Sequence, residues 1–124
     1  MDDPPVIRSL KGDYAFRRLR KGRSGHAKHL SLRYLPAPGA PGQLELRVGI
    51  VVSKKVGKAV VRNRVRRRLR EALREVSKRE ASQPPRLRPL AGDLMLIARP
   101  EAAEASYAEL RRSLEQALAK VARP

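Results

Sequence analysis

Two hydrophobic rhythms run along this chain, and the switch between them falls at Gly57. Before it, Leu44, Leu46, Val48, Ile50 and Val52 recur at every second position. That period belongs to a strand with one buried face. The segment HLSLRYL, His29 to Leu35, repeats it with Leu30, Leu32 and Tyr34. Between the two lies PAPGAPGQ, Pro36 to Gln43, too rich in Pro and Gly for a regular element. Two strands joined by such a loop predict an antiparallel pair.

After Gly57 the period lengthens to that of a helix. Val61, Val65, Leu69 and Leu73 follow at steps of four, with Ala72 and Val76 beside them. At about 100° per residue they cover an arc of about 120°. The segment VVRNRVRRRLREALREV, Val60 to Val76, therefore reads as an amphipathic helix and not as a charged tail. Residues 77–92, with Pro84, Pro85 and Pro89, break it. DLMLIAR, Asp93 to Arg99, is a nearly continuous apolar strand, expected to be buried on both faces. Ser106 and Glu109 have capping-box spacing. Tyr107, Leu110, Leu114, Leu118 and Val121 then mark a C-terminal helix. Near the start, Leu10 to Lys21 reads as a short helix carrying Phe16 and Leu19, stopped by Gly22. Residues 1–8 read as a loose arm. Helix, strands, helix, strand, helix is the order of a two-layer α+β or α/β sandwich. The length of 124 residues suits one domain, 1–124.

Charge changes the picture from a fold to a partner. The net charge is +17, a surplus that repels itself unless a polyanion offsets it. Nucleic acid is the first candidate and an anionic membrane surface the second. With no Cys, disulfides and thiolate metal sites are excluded. No apolar run approaches the roughly 18 residues of a membrane span. MDDPPVIRSL lacks a signal-peptide pattern, so a cytoplasmic protein is expected.

Between Arg62 and Arg74 stand seven arginines and one carboxylate, Glu71. On a helical wheel Asn63, Arg67, Arg70 and Arg74 fall within about 60°, opposite the apolar stripe. Arg66 and Arg64 flank them. Lys54, Lys55 and Lys58 surround Gly57, at the expected helix N-terminus, where exposed N–H groups and the dipole favour phosphate. A solvated face normally mixes signs; this one does not. Arginine also pairs bidentately with phosphate. For Asn63 two readings stay open. It caps the helix start, or its amide orients a base or ribose or fixes the neighbouring arginines.

SKKVGKAVVRNRVRRRLREALR resembles the signature of the bacterial ribonuclease P protein subunit, with the triplet Arg62-Asn63-Arg64 at its centre. LKGDYAFRRLRKG, LRVGIVVSKK, DLMLIARPEA and SYAELRRSLEQAL are similar to that family's first helix, central strand, last strand and last helix. The resemblance implies an α+β two-layer sandwich in the order αβββαβα. That fold is ribosomal protein S5 domain 2-like, with a left-handed βαβ crossover. It implies a subunit that helps a catalytic RNA remove the 5′ leader of precursor tRNA, with Mg2+ held mainly by the RNA. Lys54, Lys55, Lys58, Arg62, Asn63, Arg64, Arg66, Arg67 and Arg70 match the motif and its turn, and Arg74 continues the face. Phe16 and Tyr34 match aromatic positions of a cleft for the single-stranded leader. Leu19 and Arg20 stand where a second aromatic is common. By pattern alone, Phe16 and Tyr34 read more readily as core, since a lone Phe in an amphipathic helix is more often buried than presented to a ligand.

Nothing in the chain suggests catalytic groups of its own. His26 and His29 have no evident third ligand. The twelve carboxylates form no close pair in an element that would line a pocket. There is no nucleophile elbow and no Gly-rich phosphate loop. Catalytic residues and a protein-bound metal are therefore not expected, nor is a membrane or small-molecule substrate. The alternative is a structural RNA-binding protein of ribosomal type. A DNA-binding protein would need a docking motif such as helix-turn-helix, and none is present.

Overall fold

The computed structural model describes residues 6–10, 17–36, 45–80 and 92–122. Its strands are β1 (Val6–Ser9), β2 (Arg23–His26), β3 (Leu30–Pro36), β4 (Glu45–Val51) and β5 (Gly92–Ala98). Its helices are α1 (Ala59–Glu80) and α2 (Tyr107–Ala122). The strands form one sheet in the order β1-β4-β5-β3-β2. β1, β4 and β5 run parallel, and β3 and β2 are antiparallel additions.

The pleat decides which side chains share a face. Val48 aligns with Leu94 and Tyr34, and Ile50 aligns with Leu96 and Leu32. This face carries the main core, closed by α1 through Val65, Leu69, Ala72, Leu73 and Val76 and by α2 through Leu110, Leu114, Ala117, Leu118 and Val121. Burying each large aliphatic side chain contributes roughly 1.5–3 kcal/mol, which offsets the repulsion among the arginines of α1. Leu10 and Leu19 are also buried but stand outside this cluster. The short 3-10 turn Leu19–Lys21 packs on β3 and β5.

The two-layer α+β expectation holds, with three corrections. The strands of the 30s and 40s are not paired with each other. Each is hydrogen-bonded to β5, which lies between them. A long Pro/Gly connection does not force adjacency as a two-residue hairpin turn does. The most continuously apolar strand takes the interior position: Leu94 and Leu96 are buried beneath the helices, while Met95 and Ile97 on the opposite face are only half-buried, so the expected burial on both faces is reached on one. Second, part of the supposed arm is a strand, since Val6–Ser9 adds to the outer edge of β4. Third, α1 continues past Ser77 to Glu80; the prolines beyond lie outside the described residues. Of the first helix, Arg17 and Arg18 are helical and lead into the turn that ends at Gly22. At Gly22 a Cβ would lie 2.3 Å from the Tyr34 carbonyl oxygen, so only glycine lets the chain pass β3.

The passage from β4 to α1 is as the period change predicts. A 3-10 turn, Lys54–Val56, is closed by Gly57 at φ 151°, a conformation that favours glycine. α1 then crosses over to β5, parallel to β4.

Candidate nucleic-acid interface

α1 has three kinds of arginine. Asn63, Arg67, Arg70 and Arg74 are exposed on the side away from the sheet, as the wheel predicts. Arg64 and Arg68 are half-buried, and their guanidinium groups donate to the carbonyls of Ala103 at 3.2 Å and Ala105 at 2.9 Å. They tie α1 to the turn Pro100–Glu104 that follows β5. Arg62 falls on the wheel among the apolar residues and is half-buried too. The Nε atoms of Arg62 and Arg64 are buried without a hydrogen-bond partner. The Arg62-Asn63-Arg64 triplet thus exposes its asparagine and draws both flanking arginine stems inward. A helix turns about 100° per residue, so these three neighbours do not share one face.

Asn63 lies beyond the first turn of a helix that starts at Ala59, so it is not the cap. Its Oδ1 accepts a hydrogen bond from Arg66 Nη1 at 3.1 Å. Of the open readings, fixing a neighbouring arginine is the one with a contact behind it.

The carboxylates of α1 leave its outer face strongly positive. Glu71 pairs with Arg74 at 3.0 Å, an exposed i,i+3 contact. Glu75 turns to α2 instead, accepting hydrogen bonds from the Tyr107 hydroxyl and from Arg111 Nη1. Arg111 lies 5.8 Å from the Tyr107 ring centre and pairs also with Glu115. Burial and the adjacent Glu75 push the Tyr107 hydroxyl up to about 12. Arg67 and Arg70 have no such described carboxylate. Lys54, Lys55 and Lys58 are exposed ahead of α1, whose first turn holds no acid. From Lys58 to Arg74 the basic face spans about 24 Å at 1.5 Å per residue, enough for several phosphates of one backbone.

The two aromatic positions fare differently. Phe16 lies outside the described residues. Tyr34 is 1% exposed and sits in the main core with Leu30 and Leu32. Its placement in a leader cleft is corrected, because strand alternation turns it toward the helices. Burial pushes its hydroxyl up, while nearby Arg23 partly opposes this. The neighbour that faces the other way is Arg33, which donates to the Arg20 carbonyl at 3.2 Å. Beside it, Arg17, Arg18, Lys21 and Leu35 line an open groove of about 640 Å3. None of these was a candidate from the sequence, although alternation around Leu32 would have pointed Arg33 outward.

The histidines do not meet. His29 is buried and hydrogen-bonded to Ser113 Oγ at 2.7 Å, joining β3 to α2, while exposed His26 pairs with Ser31 Oγ. Among the described residues no three His, Cys, Asp or Glu gather as a metal site. Nor is any helix there long and apolar enough to cross a membrane.

The Ribonuclease P family model matches residues 5–122. The ribonuclease P protein component of Thermus oshimai is 55% identical over 114 residues, covering 92% of this chain and 64% of that protein. That of Thermus aquaticus is 54% identical over 112 residues, covering 90% and 59%. The chain thus spans about three-fifths of the length of these relatives. Among solved structures, the RNase P protein of Staphylococcus aureus is 31% identical with a TM-score of 0.71, covering 93% of this chain and 97% of that one. The RNase P protein of Thermotoga maritima shares the fold at a TM-score of 0.69 and 24% identity, covering 90% and 94%. A family match over nearly the whole described chain, on the fold and basic helix set out above, places this chain in the Ribonuclease P protein family.

Proposed function

We propose that the chain is the protein subunit of a ribonuclease P ribonucleoprotein, which removes the 5′ leader from precursor tRNA. The observation that carries this is the outer face of α1, where Asn63, Arg67, Arg70 and Arg74 are exposed together on a rigid helix. Arginines fixed at helical spacing suit the phosphates of a structured RNA. The partner on this face is the catalytic RNA subunit. Lys54, Lys55 and Lys58 extend the contact around the N-terminus of α1, and Arg66, held by Asn63, extends it sideways. Arg62 and Arg64 contribute mainly by seating α1. The cleavage chemistry belongs to the RNA and to magnesium ions it holds; the protein offsets charge and holds the leader. The family match argues against a ribosomal-type structural protein, and such a protein would not alter cleavage.

The test is cleavage of a precursor tRNA by the cognate RNA subunit at low magnesium, with and without this protein. Faster cleavage with protein is expected. An unchanged rate, with binding to the RNA subunit intact, refutes the proposal.

A further inference from the structure

The side of α2 that faces away from α1 carries a further basic surface. Arg111 faces α1, where it pairs with Glu75. Ala108, Arg112, Gln116 and Lys120, at steps of four, are exposed on another stripe of α2. Beside that stripe lies β2, the strand at one edge of the sheet. Gly25 lets the two backbones meet, since a Cβ there would stand 2.5 Å from the Ala117 carbonyl oxygen. Two cations stitch the seam. Arg23 Nη1 donates to the Val121 carbonyl at 3.2 Å, and Lys120 Nζ donates to the His26 carbonyl. Lys28 continues the row just past β2. Glu109 is held below its ordinary range by Ser106 first and, more weakly, by His29 and Lys28, which sets Lys28 beside the start of α2.

A carbonyl fixes a cation in place without cancelling its charge, whereas a carboxylate cancels it. The pairs Glu71 with Arg74 and Glu75 with Arg111 are of the second kind. Among the described residues no ion pair holds Lys28, Arg112 or Lys120. The Glu109 carboxylate is taken up by the Ser106 N–H. Holding a lysine still costs rotamer entropy and keeps like charges together, with little returned unless an anion is bound. The strand edge adds donors. Ala27 N–H is bonded to Leu30, so Ser24 and His26 turn their backbone groups outward, the His26 carbonyl to Lys120. From Arg23 to Lys28 this edge runs about 16 Å at roughly 3.3 Å per residue. Arg112 and Lys120 lie about 12 Å apart beside it at 1.5 Å per residue. No Tyr, Phe or Trp belongs to residues 23–28 or 108–122, so these segments offer no aromatic platform for unpaired bases. A rigid row of cations without such rings suits a double helix, which is recognised by shape and backbone.

We infer that the flank formed by β2 and α2 docks a double-helical segment of the RNA subunit, distinct from the segment held by α1, through Arg23, Lys28, Arg112 and Lys120. This rests on the proposed function above and adds a second anchoring point. The RNA subunit is the occupant because α1 and α2 form one layer, joined by Glu75 with Tyr107 and Arg111. An RNA held on the outer face of α1 brings its other helices to this layer at high effective concentration. The protein then bridges two RNA segments and restrains their relative placement.

The experiment uses the full chain with its cognate RNA subunit. Hydroxyl-radical cleavage maps the RNA backbone protected by the parent, by Arg112→Gln with Lys120→Gln, and by Arg67→Gln with Arg70→Gln. Lys120→Gln keeps an N–H donor for the His26 carbonyl, so thermal unfolding of the first pair should match the parent. The parent should protect two separate patches, one of them base-paired. The first pair of substitutions should remove the base-paired patch alone, and the second pair the other alone. The first pair should also weaken binding about tenfold, as two exposed charge contacts, and lower the salt slope by about two, one per phosphate contact. Lys120→Arg should behave like the parent. A single protected patch, or unchanged protection and slope in Arg112→Gln with Lys120→Gln, would show a solvated flank and overturn the inference. A loss confined to binding of precursor tRNA, with protection of the RNA subunit intact, would overturn the choice of occupant. Either result leaves the proposed function standing if the parent speeds cleavage. A parent that protects both patches without speeding cleavage refutes the proposed function and leaves the docking surface in place.

Discussion

Tyr34→Ala separates two accounts of this protein most cleanly. In the structure the ring is 1% exposed, packed with Leu30, Leu32 and the residues beneath α1 and α2. Removing a buried aromatic ring takes away its transfer free energy and leaves a cavity, typically about 3–5 kcal/mol. For a domain of this size 1 kcal/mol shifts Tm by about 4 °C, so a fall of at least about 12 °C is expected. Tyr34→Phe keeps the ring and should cost only about 1 kcal/mol through the hydroxyl. The assay is thermal unfolding of both variants by circular dichroism, with binding of precursor and mature tRNA measured well below the lowered Tm. There the alanine variant should treat the two substrates much as the parent does. A variant with unchanged Tm but selectively lost precursor binding would show the ring in the cleft, and the strand alternation argument would be wrong.

Further outcomes follow from the same geometry. Arg68→Ala should lower stability by about 1–2 kcal/mol, because the Ala105 carbonyl loses its donor. Arg67→Ala should change stability by less than about 0.5 kcal/mol, yet weaken binding to the RNA subunit and reduce its salt slope by about one; a reversed pattern in denaturation and binding titrations would contradict the inward and outward assignment. With the Tyr107 hydroxyl raised from 10.0 to about 12, the folded state keeps this proton where the unfolded chain has lost it. That stabilisation is complete below about pH 10 and fades as pH rises through about 12, so denaturant titrations should show a steeper alkaline loss in the parent than in Tyr107→Phe. Ser106→Ala removes the oxygen that accepts the Glu109 N–H at 3.1 Å and should cost about 1 kcal/mol, read as a lower midpoint in urea.

The capping box shows why some features were open to reading in one dimension. Ser106 and Glu109 exchange hydrogen bonds as their spacing predicts, since both partners lie within one helical turn. Glu109 is held below its ordinary carboxylate range by these same contacts. The two-faced character of α1 was legible for the same reason: Val65, Leu69 and Leu73 are buried, and Arg67, Arg70 and Arg74 are exposed. Strand pairing was not legible, because β3 and β5 are separated by nearly half of the chain and meet through backbone bonds that any residue can make.

By itself, then, the sequence determined the elements, their buried stripes, the basic face of α1 and, through the Arg62-Asn63-Arg64 segment, the family. Each follows from local periodicity or composition, where the period of a helix or strand dictates which side a residue takes. Only the tertiary structure decided that β5 separates β3 from β4 and that Arg64 and Arg68 turn inward to carbonyls of the turn after β5. It alone placed Tyr34 under the helices while Arg33 joins Arg17, Arg18 and Lys21 at a second basic surface. A charge on the wheel has a direction but no partner until another element is packed against it, and packing partners are distant in the chain.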